Sequence, residues 1–465
     1  MLTDEELEAC LAAFQTRMDE VTDLYIERIG QHVADIGTLT PGDLHRLKQM
    51  ERMGKNIHEI EREIARVTGL NTRDARKLIE EAGASAYGDY AAYGLGALTG
   101  NAAVMAVVKA QAAQTANAMA NLSNTTVVTD MYQKCIDKAI TSVQTGVTDY
   151  KSAMRSTIKD MSQQGLRVRY DSGLTRRLDT AVRQNILDGT KQINQEVARA
   201  TGEQFGADGV EISAHTDCAP DHLFLQGRQM TNKEYERLQR TLERPIGEWN
   251  CRHFAFPIIL GISKPAYSKQ ELAAMRTQST EKITIDGVEK TRYQWTQKQR
   301  GLETKVRYAK NDANACKAVG DDVGRRNAQA RINEIDRVYA RVSAEAGIPT
   351  RRERMQVAGF KKVKTEAQLW TTQLAKITTQ NGIKVSEITE HAYRQATKRG
   401  VSLAGIGEAL TAPLHIGSVE LDDLGRPSQR FIGNSATVAL NPNTGVIPTV
   451  WHTGSRYRKK YGGTP

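Results

Sequence analysis

Three of the nine histidines and two of the five cysteines of this 465-residue chain fall between His215 and His253. They form two short clusters, His215, Cys218 and His222 in SAHTDCAPDHLF, then Cys251 and His253 in WNCRHFAFP. Imidazole nitrogens and thiolates hold borderline-soft metals, and a site usually collects them from two such clusters brought together by the fold. These five residues are therefore candidate ligands for zinc. The spacing is not that of a double CxxC ribbon, and two other readings stand beside it. The cysteines can be small buried apolar groups, with the histidines as hydrogen-bonded posts for a proline-containing loop. A cysteine nucleophile with a histidine base is the third, although nothing nearby in the sequence looks like a substrate pocket.

A second set of reactive residues lies near the C-terminus. His391, Arg394 and Lys398 stand at offsets of three and seven, so a helix places them on one face. His452 ends the alternating stretch GVIPTVWH, and the tail GSRYRKKYGG adds Arg456, Arg458, Lys459 and Lys460 beside two tyrosines. Cleavage of RNA needs a base for the 2′-hydroxyl proton, an acid for the leaving oxygen and cations on the phosphorane. His391 and His452 are candidates for the first two roles, and Arg394, Arg399 or Arg456 for the third. The alternative is an exposed helix histidine and a basic tail without a site.

The elements that must position these groups are mostly helical. Thr3 and Glu6 suit a capping box, and Leu7, Leu11, Phe14, Met18, Val21 and Tyr25 then form a seam that predicts an internal bundle contact. Thr40-Pro41-Gly42 stops that helix. A second is expected from Asp43, a third over Ile57, Ile60, Ile64 and Val67, and a fourth capped by Asn71. An Ala-dominated helix follows from Asn101 to Asn121, and further helices are expected from Val127 to Gln164. RVRYDSGLTRRLDTAVRQNILDG reads as a basic turn and a helix whose arginines form a solvated face, with a phosphate-facing stripe as the alternative.

Beyond the His/Cys segment, Asp286-Gly287 between alternating residues predicts a hairpin. A polar helix from Gln297 to Ala346 then looks like a connector or surface arm, ended by Gly347-Ile348-Pro349. In the C-terminal unit, Ser386 opens one helix and Ser402 caps another. HIGSVEL, QRFIG, ATVALNP and GVIPTVWH are expected strands, with turns at Asp423-Leu424-Gly425 and Asn441 to Gly445. The expected divisions are 1–83, 84–205, 206–275, 276–358 and 365–465. The fold class is a mainly α multi-domain body with a small His/Cys-rich α+β segment and a hairpin. A C-terminal α+β domain, with helices on a small antiparallel sheet, completes it.

Composition bounds the function. Charged residues are 25% and aromatics only 6%, so the cores must lean on Ala, Leu, Ile and Val. A formal charge of +10 and a pI near 9.2 favour a polyanionic neighbour, nucleic acid before membrane, or else a merely soluble surface. Five scattered cysteines do not make a disulfide framework and fit a reducing compartment. The acidic start MLTDEELEAC has no basic or apolar leader region, and no apolar run is long enough to suggest a membrane span.

Several stretches together resemble the minor capsid proteins of tailed phages of Gram-positive hosts, a group akin to head-morphogenesis proteins. They are EIEREIARVTG, Tyr170 to Gly173 with RRLDTAVRQNI, EISAH, the His215…Pro220…His222 spacing, Leu225-Gln226-Gly227, Asn250-Cys251-Arg252-His253 and Pro257…Gly261. The resemblance runs from about residue 20 to about residue 275, and more loosely to 355. It carries over His215, His222, Cys251 and His253 as the shared polar set, whereas Cys218 departs from the family's pattern. It implies a virion component inside the head near the portal, with portal and major capsid proteins and packaged DNA as partners. HAYRQATKRGVSLAGIGEAL with NPNTGVIPTVWHT resembles the barnase/EndoU/colicin/RelE-like nuclease toxins, the corresponding positions being His391, Arg399 and Thr449 to Thr453. That second resemblance implies a metal-independent ribonuclease acting on host RNA, with Thr449 and His452 in its site.

Overall fold

The computed structural model describes residues 4–36, 43–91, 95–144, 156–157, 160–161, 164–248, 251–422 and 425–463. They group into two compact units. The first comprises Met1–Gly320 with Ile335–Phe360, the second Asp321–Glu334 with Lys361–Pro465.

In the first unit, helix α1 (Asp4–Ile36) buries Leu11, Phe14, Met18, Val21 and Tyr25, so the predicted seam is an internal one. Thr3, the side chain of Glu6 and the Thr40-Pro41-Gly42 stop lie outside the described residues. Helix α2 (Asp43–Tyr90) is one continuous element of 48 residues, about 72 Å long, where three helices were expected. Asn71 does not cap a new helix. It is fully buried inside α2, and its side chain accepts a hydrogen bond from Arg17 of α1 at 3.0 Å. The stripe Ile57, Ile60, Ile64, Val67, Ala75, Leu78 and Ile79 runs straight through that position. Burial of such a face outweighs the few tenths of a kcal/mol that asparagine costs inside a helix.

Helix α3 (Ala102–Thr125) is capped by Asn101, which accepts from the Val104 amide at 3.3 Å. Its small side chains let neighbours come close: a Cβ placed on Gly189 would stand 2.4 Å from Thr115 Oγ1. Thr126–Val127 is strand β1, not helix, and helix α4 (Thr129–Gln144) follows it. Strand β1 pairs with β2 (Arg167–Arg169), which pairs with β3 (Thr175–Arg177), all antiparallel. Helix α5 (Leu178–Gln204) then crosses the body and joins α1, α2 and α3 in its apolar core.

The His/Cys segment rests on a small antiparallel sheet. Its central strand β4 (Gly209–Ile212) is flanked by β5 (Gln229–Thr231) and β6 (Ala255–Ile258), with Ile212 opposite Ala255. Helix α6 (Asn232–Thr241) and helix α7 (Lys269–Thr280) both begin with complete capping boxes, Thr231 with Glu234 and Ser268 with Glu271. Strands β7 (Lys282–Ile285) and β8 (Val288–Thr291) form the predicted hairpin, with positive φ at Asp286 and Gly287 as a type I′ turn requires.

The expected connector is two helices, α8 (Arg292–Ala318) and α9 (Asp322–Glu345), separated at Gly320. Helix α8 is no surface arm: Trp295, Leu302, Val306 and Ala309 are buried. Its polar residues turn inward to partners. Arg307 pairs with Asp19 of α1 and Asp179 of α5, and Asn314 donates to Asp23 and to the Ala358 carbonyl.

In the second unit the first part of α9 carries Arg326, which pairs with Glu366 at 2.6 Å, and Gln329, which accepts from the Val363 amide. Helix α10 (Glu366–Leu374) opens with a Thr365/Gln368 capping box. Strand β9 (Glu387–Ile388) precedes helix α11 (Glu390–Lys398), so Thr389 rather than Ser386 is its cap. Helix α12 (Leu403–Thr411) is capped by Ser402 as expected. Strands β10 (His415–Leu421), β11 (Pro427–Ile432), β12 (Ala436–Leu440) and β14 (Thr449–His452) form an antiparallel sheet in that order, while β13 (Val446–Ile447) pairs with β9. A terminal helix α13 (Ser455–Lys460) carries the basic tail. Among the described residues, no helix is long and apolar enough to cross a membrane.

Candidate metal centre

The β4–β6 pairing is what brings the two clusters together. The Ser213 amide donates to the Phe254 carbonyl at 2.8 Å, and the Phe254 amide donates to Ser213 Oγ at 2.9 Å. One residue further along each strand end stand the two ligand loops. The first folds back through Asp217, whose φ is +61°, and Gly227, whose amide donates to the Ile212 carbonyl. Gln226, buried, fixes the loop's start by accepting from the His215 amide at 2.7 Å.

Three donors converge in this corner, all buried: His222, Cys251 and His253. Cys251 Sγ lies 3.2 Å from His222 Nδ1 and 3.5 Å from His253 Nδ1. The nitrogen and sulfur ligands of a tetrahedral zinc ion stand about 3.6 Å apart, so these separations match a ligand shell. His222 Nε2 lies 2.7 Å from the Arg244 carbonyl oxygen. A carbonyl only accepts, so Nε2 carries the proton and Nδ1 is the nitrogen turned to the sulfur, the carbonyl-to-histidine arrangement that orients metal ligands.

Electrostatics fit the same reading. Burial pushes the Cys251 thiol up, but hydrogen bonds from His222 and His253 and from the backbone bring it down to about 5. It is a thiolate at neutral pH. Burial opposes the charged form of His222, yet the hydrogen bond and charge of Cys251 raise its pKa. A thiolate beside an imidazolium could also be a nucleophile, but Cys251 is 1% exposed and a nucleophile needs access.

The other two candidates flank this trio. His215 packs against His253 with ring centroids 4.5 Å apart and planes tilted by 37°; its Nδ1 lies 2.7 Å from the Thr216 carbonyl oxygen, and its Nε2 is buried without a hydrogen-bond partner. Burial holds its pKa down at about 4, so it is a neutral imidazole with a bare lone pair. Cys218 sits on the far nitrogen of His253, 3.6 Å from Nε2, and its thiol points to the Ala219 carbonyl at 3.1 Å. Burial pushes that thiol up to about 12. A neutral thiol on the opposite edge of the ring suits packing better than ligation.

Sequence reasoning missed the residues that brace the second loop. Lys191 and Gln195 stand one turn apart on α5; Lys191 Nζ donates to the Cys251 carbonyl at 2.5 Å, and Gln195 exchanges two hydrogen bonds with the Ala255 backbone. Their spacing of four on one helix face was the available signal.

The C-terminal candidates are arranged differently. His391 and His452 are exposed and make no side-chain hydrogen bond among the described residues. Arg394 pairs with Glu334 at 2.7 Å, and Arg399 Nη1 donates to the Val450 carbonyl at 2.7 Å. Thr449 lies in β14 opposite Ala439. Thr389, at the start of α11, bonds to Pro448, four residues and about 13 Å of strand from His452. His391 thus stands in the first turn of the helix, and His452 two residues past the strand position to which Arg399, at the helix's other end, is bonded.

The family model described as phage minor capsid protein 2 matches residues 4–339. That is most of the chain, and the protein belongs to this family: it is a structural component of the phage capsid, located in the virion among other virion proteins. The match spans the whole His/Cys corner. No curated protein and no solved structure matches the chain.

Proposed function

We propose that this protein is a zinc-clamped minor head protein that acts inside the capsid near the portal. Portal and major capsid subunits and packaged DNA would be its neighbours. The observation that carries the zinc reading is the convergence of His222 Nδ1, Cys251 Sγ and His253 Nδ1 at ligand spacing in a buried corner. His215, whose ring packs against His253 and whose buried Nε2 has no hydrogen-bond partner, stands outside the trio and is the fourth ligand we assign. A structural zinc here ties two loops separated by a long stretch of chain and so contributes directly to folding. Elemental analysis of the purified protein should find about one zinc per chain; a folded protein with none overturns the reading. Cross-linking in intact particles should join this chain to the portal, and links to outer-surface proteins alone would refute the interior position.

The second unit supports a further role, RNA cleavage without a metal. The observation favouring it is the bond from Arg399 to the Val450 carbonyl, which fastens α11 to β14 and leaves His391 and His452 facing solvent. His452, two residues past that anchor, is the better placed to act with Arg399 and the tail cation Arg456, while Thr449 borders the same strand. Arg394, held by Glu334, acts as a brace. Residues 321–465, which include the Arg326–Glu366 and Arg394–Glu334 pairs, should degrade RNA in the presence of a chelator. Intact RNA after prolonged incubation with a folded fragment rules the activity out.

A further inference from the structure

Where β10 begins, at one end of the sheet in the second unit, three rings lie side by side. His415 and Tyr461 are stacked, with centroids 4.2 Å apart and planes 2° from parallel, and Tyr457 stands 6.3 Å from Tyr461 at 20°. His415 opens β10, whereas Tyr457 lies on α13 and Tyr461 is its C-cap. The Tyr461 amide donates to the Tyr457 carbonyl at 3.1 Å, so the two tyrosines share one helix face. Beyond them the Gly463 amide donates to the Arg458 carbonyl, and the chain tucks against the residue before His415: a Cβ on Gly463 would stand 2.6 Å from Leu414 Cδ1.

Rings stacked only to fill a core would be covered. Tyr457 is 48% exposed and His415 is exposed as well. Exposed cations surround them. Arg456, Lys459 and Lys460 all face solvent, and Lys460 Nζ stands 5.0 Å from the centre of the Tyr461 ring. None of these three makes an ion pair among the described residues. Parallel aromatic faces flanked by solvated cations suit a flexible polyanion that also carries flat rings. A nucleic acid strand has both, and its bases continue such a stack whatever their sequence. In a duplex the base faces are already covered by one another, so a single strand fits this row and a double helix does not.

We propose that His415, Tyr457 and Tyr461 form a stacking platform for single-stranded RNA, with Arg456, Lys459 and Lys460 along its phosphates. The choice of RNA rests on the cleavage reading of the second unit; the stacking itself does not. His415 pairs with Ile432 and His452 with Ala436, on either side of the β11–β12 turn, so both histidines stand at the same end of the sheet. Three strand spacings, about 14 Å, separate their strands. A strand gripped by the rings can therefore reach His452 around the sheet's end.

The test is fluorescence anisotropy of the full-length protein with a labelled 2′-O-methyl oligoribonucleotide of about ten nucleotides, a strand that cannot be cut through its 2′ oxygen. Saturable binding that weakens with salt is expected. Tyr457→Ala should weaken it about tenfold with an unchanged melting temperature, whereas Tyr457→Phe, which keeps the ring, should bind as wild type does. A tyrosine present only for packing would lower the melting temperature and leave binding alone. Lys459→Gln should reduce the salt slope by about 0.7. Lys376→Gln, an exposed cation that touches none of these rings, should change nothing. A DNA strand of the same sequence should bind no more tightly than RNA. Unmodified RNA, incubated in parallel, separates the two readings: binding of the blocked strand while unmodified RNA stays intact ends the cleavage reading and keeps the platform. No saturable binding, equally tight binding of duplex RNA, tighter binding of the DNA strand, or undiminished binding by Tyr457→Ala overturns the platform, whatever becomes of cleavage.

Discussion

Two regions of this protein hold clusters of candidate residues, and the structure treats them in opposite ways. In the first unit, strand pairing draws two loops together, and three of five donors meet within a buried corner while the other two flank it. In the second unit a helix and a strand are fastened side by side, and the two histidines stay on the surface with no side-chain hydrogen bond among the described residues. A cluster read from sequence becomes a site only when backbone pairing fixes both halves. Residues that merely share elements remain separate.

That contrast can be broken by experiment. The largest effect is expected from Cys251→Ala, which removes the donor common to both short contacts. Zinc content should fall from about one per chain to none, with a loss of about 3 kcal/mol in unfolding free energy. Retained zinc would show that the corner is held by packing alone.

Acid should open the same corner. His222 must shed its proton to ligate, and its pKa is raised; Cys251 takes up a proton only as the pH falls through about 5. Zinc affinity should therefore begin to fall below the His222 value, by about tenfold per pH unit, and more steeply below about 5. Without metal the signs separate. The depressed Cys251 contributes stability that is complete above its ordinary value of 9.0 and is lost as the pH falls toward about 5. The raised His222 contributes stability that is complete below 6.5 and is lost as the pH rises through its folded value. Equilibrium dialysis across pH 4–8 would check this, and a flat profile would remove Cys251 from the shell.

Cys218→Ala sharpens the comparison within the corner. It should keep the zinc and cost about 1 kcal/mol for the lost sulfur packing. Loss of the metal would make Cys218 a ligand in place of His215. The smallest effect on folding belongs to the second unit, where His391→Ala and His452→Ala should each change stability by less than about 0.5 kcal/mol. If RNA cleavage is present, His452→Ala should abolish it while His391→Ala leaves more activity behind. Equal losses would mean that the two histidines work together in a conformation other than this one.

Much of the fold was legible. The seam of α1, the Asp286-Gly287 hairpin, the Ser402 cap and three strands of the C-terminal sheet follow from periodicity and turn chemistry, which are local properties; the fourth expected strand, GVIPTVWH, divides at Pro448 into β13, paired with β9, and β14, paired with β12. The single length of α2 was not, because Asn71 reads as a cap until its partner Arg17 is known. The inward role of α8 was hidden for the same reason: Arg307 and Asn314 look solvated until Asp19, Asp179 and Asp23 come to meet them. In the candidate site the donor types were visible, while their selection was not. Choosing His222, Cys251 and His253 over Cys218 depends on which edge of the His253 ring each sulfur meets.

Arg252 lies between two buried residues, Cys251 and His253, and its side chain lines a cavity that Lys191 of α5 and Arg300 of α8 also border. A three-residue segment therefore turns its odd-numbered side chains to the buried corner and the even-numbered one between them to the cavity. A substitution that displaces Cys251 or His253 therefore moves Arg252 with them, so the buried corner and the cavity wall share one short piece of backbone.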